Sequence, residues 1–233
     1  MTPSPALLSM NKPDWMMGEP KPDLLGTRLA ELRKLLENKN PEDLATRSGT
    51  TYKSIDQVSG QFHTQLWDRN IVLTYPDFVA QDEQTLDELG ASSQALLLYY
   101  FVTCDGTPAS AQWVSFSELP DGRFYNQAYQ GYSGGRLAQV FKNDFKALCQ
   151  VSENLGGKRV YLLGDAAYEF QVLPLVSLLV VTWQGDEEFN STYQILFDAA
   201  VSHHLPTDAC AILGSNLTNR LITEREALNE NRH

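Results

Sequence analysis

The segment Leu175–Trp183, with the sequence LVSLLVVTW, carries the clearest structural signal in this chain of 233 residues. It is almost continuously apolar and rich in β-branched side chains such as Val180. Such a run is typical of a strand that is buried in the middle of a sheet. The acidic turn Gly185–Glu188 follows directly, so we expect Trp183 to form the buried end of the strand.

Further strand patterns flank this segment on both sides. Apolar and polar residues alternate over residues 168–173, and a third strand is predicted over residues 193–197. The connections between these strands are too short for helical crossovers, so the pairing is predicted to be antiparallel. Across the whole chain, the strand patterns group at residues 50–75, 111–116 and 160–199.

Helical spacing of apolar residues occurs before, between and after these groups of strands. The predicted helices cover Leu25–Leu36, Ser92–Val102, Leu137–Leu148 and Ala209–Leu221. Because strands and helices are grouped instead of alternating, the pattern indicates an α+β fold. We expect a central antiparallel sheet with helices packed against it.

The ends of the chain differ from its middle. Residues 1–22 contain five prolines, which disfavour both helix and ladder hydrogen bonds, and predict an extended arm. Its residues Trp15, Met16 and Met17 are candidates for self-association into a homo-oligomer. We expect a single α+β domain over residues 23–223 and a charged tail over residues 224–233.

The composition excludes several classes of protein. The net charge is −11, which disfavours binding to nucleic acid and to anionic membrane surfaces. No apolar run approaches the ~20 residues of a membrane span, and the first residues lack the pattern of a secretory signal. Three scattered cysteines fit a reducing compartment, so a soluble, cytoplasmic protein is expected. The cysteine spacing predicts no iron–sulfur cluster built by this chain alone.

Several short motifs together resemble one family of bacterial and archaeal proteins. In chain order they are Asn40–Ala45 (NPEDLA), Trp113–Pro120 (WVSFSELP), Gly164–Tyr168 (GDAAY), Gly185–Phe189 (GDEEF) and Ile195–Asp198 (ILFD). This order resembles that of domain-of-unknown-function family number 3786, over about residues 27–222. That family has no established activity. Some relatives are described as iron–sulfur proteins because of an additional cysteine-rich module, which this chain lacks. The resemblance therefore implies a family and no chemistry.

An acidic group is the first candidate for chemistry. Asp186 and Glu187 follow the buried strand, and Asp198 ends the next strand. We expect the hairpin to bring Asp186 and Glu187 near Asp198, where they and His203 could bind a divalent cation such as Mg²⁺ or Ca²⁺. Alternatively, the acidic residues form a solvated turn and Asp198 caps backbone N–H groups.

A glycine-rich stretch and a set of aromatic residues are the second and third candidates. Gly134, Gly135 and Arg136 precede a predicted helix, where backbone N–H groups could hold an anion; the alternative is a flexible helix-entry loop. The aromatic candidates for a pocket that takes a flat ligand such as a tetrapyrrole are Trp113, Tyr129 and Trp183. The alternative for these three is a place in the core.

A catalytic nucleophile has little support in the sequence. Ser115 lacks the flanking glycines of a nucleophile elbow, and Cys104 has no basic neighbour that would lower its pKa. We therefore expect a non-catalytic binding or accessory protein for a small ligand or a protein partner. The alternative is a metal-dependent enzyme or metal-binding protein built on the acidic group around Asp186 and Asp198.

Overall fold

The structure is a computed structural model that describes residues 22–161, 163–186 and 188–230. Within these residues the chain forms seven α-helices and two antiparallel sheets, which confirms the α+β class. The strands divide between two sheets instead of forming one central sheet. No helix in the described ranges combines the length and apolarity that a membrane span requires. The arm residues Trp15, Met16 and Met17 lie outside the described residues.

The first sheet and the first three helices come from the N-terminal half. The sheet has four strands in chain order: β1 Thr51–Ser54, β2 Gly60–Leu66, β3 Arg69–Tyr75 and β4 Ala80–Asp82. The helices are α1 Pro22–Leu36, α2 Pro41–Ser48 and α3 Ala91–Thr103. Helix α2 begins where the Asn40 side chain accepts hydrogen bonds from the N–H groups of Glu42 and Asp43, and it ends at Gly49 in the left-handed conformation.

The second sheet and the remaining helices come from the C-terminal half. The five strands lie in the order β5-β9-β8-β7-β6: β5 Trp113–Ser115, β6 Lys158–Val160, β7 Ala166–Leu173, β8 Val176–Trp183 and β9 Thr192–Asp198. The helices are α4 Gly122–Tyr132, α5 Gly134–Phe141, α6 Phe145–Asn154 and α7 Thr207–Glu230. Helix α7 therefore continues through most of the residues predicted as a charged tail.

Strand β8 lies at the centre of the second sheet, as its sequence predicts. One face of the strand, with Leu178 and Val180, belongs to the main core, which the helices cover. The other face, with Leu179 and Val181, belongs to a second and smaller apolar cluster. Trp183 is 38% exposed, so its expected burial is wrong. The reason is its place at the end of the strand, opposite the exposed Thr192.

The region around the glycines also differs from its prediction. The glycines predict an anion site or a flexible helix-entry loop, but helix α4 runs as far as Tyr132 and Gly131 lies inside it. Only Ser133 separates α4 from α5. A side chain at Gly134 would overlap the backbone of Tyr193 in β9, so this glycine permits close packing of helix on strand.

Two buried tyrosines have contrasting hydroxyl groups. The Tyr100 hydroxyl donates a hydrogen bond to the Ser48 carbonyl oxygen (2.6 Å) and accepts one from the Leu175 N–H (3.2 Å). The Tyr129 hydroxyl is buried and has no hydrogen-bond partner among the described residues. A buried polar group without a partner costs free energy that a bonded one does not.

The two tyrosines predict opposite responses to the same substitution. Tyr100→Phe should lower the free energy of unfolding by about 1–2 kcal/mol, because it leaves the Ser48 carbonyl and the Leu175 N–H without their partner. Tyr129→Phe should leave stability unchanged or raise it by up to about 1 kcal/mol. Urea denaturation of both variants measures this difference. An equal loss in the two variants would contradict it.

Candidate functional site

The acidic residues that were expected to meet do not lie together. Trp183 pairs with Thr192 beside the turn that holds Asp186, whereas Asp198 lies at the far end of β9. Asp198 lies six positions beyond Thr192 along β9, or about 20 Å away. The expected proximity of Asp186 and Asp198 is therefore wrong, because the hairpin brings together only the ends next to its turn. Glu187 lies outside the described residues.

Asp198 is buried and its carboxylate is used by the backbone. It accepts hydrogen bonds from the N–H groups of Ser110 (3.0 Å), Ala111 (2.8 Å) and Ala200 (2.8 Å), and another from the Ser110 hydroxyl. These bonds fasten the loop before β5 to the end of β9. The carboxylate thus acts as a cap, which is the alternative that the sequence left open.

The other candidate metal ligands also have local partners. Asp186 accepts hydrogen bonds from the N–H groups of Phe189 and Glu188, which lower the pKa of its carboxyl. His203 lies 2.8 Å from the Asp105 carboxylate, at a half-exposed position. Within the described ranges, no group of three or more His, Cys, Asp or Glu residues is placed to hold a metal ion.

We expect Asp198→Asn to reduce the free energy of unfolding by about 2–4 kcal/mol, because an amide NH₂ would then face backbone donors inside the protein. Asp186→Asn removes the same charge from an exposed turn and should change stability far less. Urea denaturation compares the two variants. If both lose the same stability, the cap assigned to Asp198 is incorrect.

The anion candidates take part in packing and in a side-chain hydrogen bond. Gly134 contacts the backbone of β9, and Gly135 follows it in the first turn of α5. Arg136 donates a hydrogen bond to the Asn219 side chain of α7 (2.6 Å). The single residue between α4 and α5 replaces the open helix-entry loop that the sequence indicates.

The three aromatic candidates lie in three different places. Tyr129 is fully buried and stacks on Phe116, with ring centroids 4.1 Å apart. Trp113 lies on the edge strand β5, opposite Asp198, and packs beside the second apolar cluster. Trp183 is at the far end of the sheet. They line no common pocket in the described part of the chain.

A buried thiol and a buried imidazole form a contact that the sequence did not predict. The Cys104 sulfur lies 3.2 Å from Nδ1 of His204, and it also donates to the Arg47 carbonyl oxygen. Burial raises the pKa of the Cys104 thiol and lowers the pKa of the His204 imidazole. The pair is therefore neutral, and a neutral thiol enclosed by the core is a poor nucleophile.

The lowered pKa of His204 predicts acid sensitivity. Below pH of about 6.5, the histidine of the unfolded chain binds protons more readily than the buried one, so stability should fall with falling pH. His204→Gln should make this decrease shallower between pH 7 and 5. The matched control is His63→Gln, which changes a surface residue beside Glu83. Unfolding free energies across this range test the expectation, and equal slopes in wild type and His204→Gln would refute it.

A cleft opens where the two sheets meet. Strand β6 pairs with the edge of β7 only as far as Glu169. The turn between β2 and β3 reaches the same edge at Val172. There the Trp67 N–H donates a hydrogen bond to the Val172 carbonyl oxygen (2.8 Å). The intervening edge at Phe170 and Gln171 is left uncovered by either strand. The resulting cavity has a volume of about 170 Å³.

Polar and charged residues, two aromatic rings, a leucine and a glycine form the walls of this cleft. They come from the β2–β3 hairpin, the end of α6, strands β6 and β7, and α7: Gln65, Trp67, Asp68, Leu155, Gly156, Lys158, Glu169, Phe170, Gln171 and Arg220. We call this set the Trp67 cleft.

The Trp67 side chain is held in place from two directions. Trp67 and Asp68 form a two-residue turn between Leu66 and Arg69, and Trp67 has a φ of 57°. The Arg220 guanidinium lies 5.1 Å from the centre of the Trp67 ring and pairs with Asp68 (2.8 Å). The ring is therefore clamped between a rigid hairpin and a helix, and it is partly exposed.

Two charged residues of the cleft are unpaired. Lys158 and Glu169 lie opposite each other on β6 and β7, yet neither has an ion-pair partner among the described residues. The Gln171 amide, in contrast, donates to the Leu173 carbonyl oxygen (2.6 Å) and is already engaged. A donor, an acceptor and an aromatic face are thus available to a ligand.

A family comparison covers the whole of this cleft. A family model matches residues 40–220. The chain belongs to DUF3786, a domain-of-unknown-function family. This confirms the resemblance noted in the sequence, and the matched DUF3786 region includes every residue that lines the Trp67 cleft. Comparisons with curated proteins and with solved structures find no match.

Two features hide the Trp67 cleft in the sequence. Trp67 ends a stretch in which apolar and polar residues alternate, which predicts a strand, and the polar residues Asp68–Asn70 are typical of the turn that follows. Arg220 lies more than 150 positions later in the chain, and no local pattern joins it to this hairpin. The one available signal was a large aromatic residue directly before the turn residues Asp68–Asn70.

Proposed function

We propose that this protein is a non-catalytic binding protein that holds a small polar ligand in the Trp67 cleft. The observation that carries the proposal is the partly exposed Trp67 ring, which a turn with a positive φ and the Arg220 guanidinium hold beside the cleft. A bulky residue with a positive φ occupies a turn position that glycine would fill without strain. Such conformations cost about 1–3 kcal/mol and cluster at functional sites.

The position of the ring supports a role in contact with a ligand. Arg220 lies against the ring, and the side chain remains partly exposed towards the cleft. An exposed aromatic face stacks against a flat apolar surface. The uncovered edge of β7 adds backbone polar groups, which commonly orient small ligands.

The charges of the cleft define the kind of ligand. Arg220 is neutralised by Asp68, and the unpaired Lys158 and Glu169 carry opposite charges on neighbouring strands. The positive and negative charges of the site are equal in number, which favours a zwitterionic or uncharged ligand over a strong anion or cation. Its volume of about 170 Å³ is below the range of drug-sized pockets, so the ligand should have the size of an amino acid or a monosaccharide.

The proposal is tested with a panel of free amino acids and monosaccharides. We expect at least one compound to raise the thermal unfolding midpoint of the full chain. At a concentration one hundred times its Kd, such a ligand would stabilise the protein by about 2.7 kcal/mol. Trp67→Gly should abolish this response while the protein remains folded, because glycine relieves the backbone strain.

Matched variants separate a specific site from general binding. Trp183→Gly removes an exposed tryptophan on another part of the second sheet and should leave the response intact. Lys158→Gln and Glu169→Gln should each weaken binding about tenfold or more, since each removes a charge-assisted hydrogen bond. The proposal fails if no compound binds, or if binding survives in Trp67→Gly.

A further inference from the structure

The walls of the Trp67 cleft divide into a charged end and an apolar end. Glu169 and Phe170 are consecutive residues of β7, so their side chains leave the sheet on opposite faces. Lys158 lies opposite Glu169 on β6 and therefore shares its face. Phe170 belongs to the main core, and Leu155 and the Trp67 ring pack against that core. Charge and apolar surface are thus separated across the edge of β7.

The two charges at the charged end do not neutralise each other. Directly opposed residues of an antiparallel pair have Cβ atoms about 5 Å apart, a distance that an ion pair can bridge. Yet within the described ranges neither the Lys158 ammonium nor the Glu169 carboxylate takes part in a salt bridge. Lys158 is exposed and Glu169 is half-buried. One cation and one anion therefore lie side by side and are free for a ligand.

We propose that the ligand of the Trp67 cleft is a free α-amino acid with an apolar side chain, such as leucine. This inference rests on the binding function proposed above and names the class of its ligand. The ligand's carboxylate binds Lys158 and its ammonium group binds Glu169. Its side chain crosses the edge of β7 and packs on the Trp67 ring beside Phe170.

The paired charges favour a zwitterion over an uncharged sugar. A ligand that enters the cleft displaces water from Lys158 and Glu169, and an ion that loses water without gaining a counter-ion costs free energy. The hydroxyl groups of a sugar supply hydrogen bonds but no opposite charge. An amino acid carries both opposite charges on either side of its α carbon, which matches a lysine and a glutamate on neighbouring strands.

The apolar end selects among amino acids. The Arg220 guanidinium lies 5.1 Å from the centre of the Trp67 ring and pairs with Asp68 (2.8 Å). Because this cation already faces the ring and this carboxylate is already paired, a basic side chain gains little from either. Leu155, Phe170 and the exposed part of the ring offer apolar contacts instead. A charged side chain would lose water here without a free counter-ion among the lining residues of this end.

Titration calorimetry of the full-length protein with valine, leucine and phenylalanine tests the ligand class. We expect at least one of them to bind, and glycine to bind at least about tenfold more weakly because it lacks the buried side chain. The amide derivative of the tightest ligand lacks the carboxylate, and its N-acetyl derivative lacks the ammonium group. Each should also bind at least about tenfold more weakly. This series needs no protein variant, so it does not depend on how a variant folds.

Two variants connect each ligand charge to its partner. Lys158→Gln should weaken binding of the amino acid about tenfold and leave the affinity for the amide derivative unchanged, because that derivative has no carboxylate to lose. Glu169→Gln should weaken binding of the amino acid similarly and leave the affinity for the N-acetyl derivative unchanged. The matched control is Lys53→Gln, which removes an exposed lysine from β1 and should change neither affinity. An equal loss for the amino acid and its derivative would overturn the proposal.

The ligand class and the binding function can fail separately. If a monosaccharide binds and the amino acids do not, the ligand class is wrong and the binding function stands. The same conclusion follows if lysine or glutamate binds more tightly than the apolar amino acids. If neither class of compound binds, or if binding survives in Trp67→Gly, both proposals are wrong.

Discussion

The architecture depends on one constraint, which is that strand β8 has no polar face. Leu178 and Val180 point into the main core while Leu179 and Val181 point the other way, and all four are fully buried. Water is therefore excluded from both sides of the second sheet at these four side chains. Helices α4 to α7 cover one side. On the other side, Trp113, Val160 and Leu163 pack against the smaller cluster.

The Trp67 cleft is a consequence of how the two sheets meet. The short strand β6 ends before the β2–β3 turn reaches the edge of β7, so a gap remains that neither sheet closes. Exposed strand edges are usually blocked, because their free backbone groups pair with other chains. Here the gap is narrow and flanked by Lys158, Glu169 and the clamped ring of Trp67. These flanks are the groups that the proposed ligand would contact.

The sequence was most informative where burial alone determines structure. The α+β class, the central strand β8 and the antiparallel order follow from apolar runs and short connections. The predictions of side-chain contacts failed where the partners lie far apart in the chain. Nothing local to Asp198 shows that its partners are the N–H groups of Ser110 and Ala111. The register of β8 and β9 also places Asp198 far from Asp186, because a hairpin pairs residues that are equally distant from its turn.

The hydroxyl of Tyr100 has a consequence for the way the molecule unfolds. Tyr100 belongs to the helix that packs with the first sheet, yet its oxygen joins the end of α2 to Leu175, at the start of β8. The Trp67 N–H makes a second link between the halves at Val172. Opening either half would break these buried hydrogen bonds and leave their partners in the other half unsatisfied. The two sheets should therefore behave as one cooperative unit, with amide hydrogens in both halves exchanging through the same global opening.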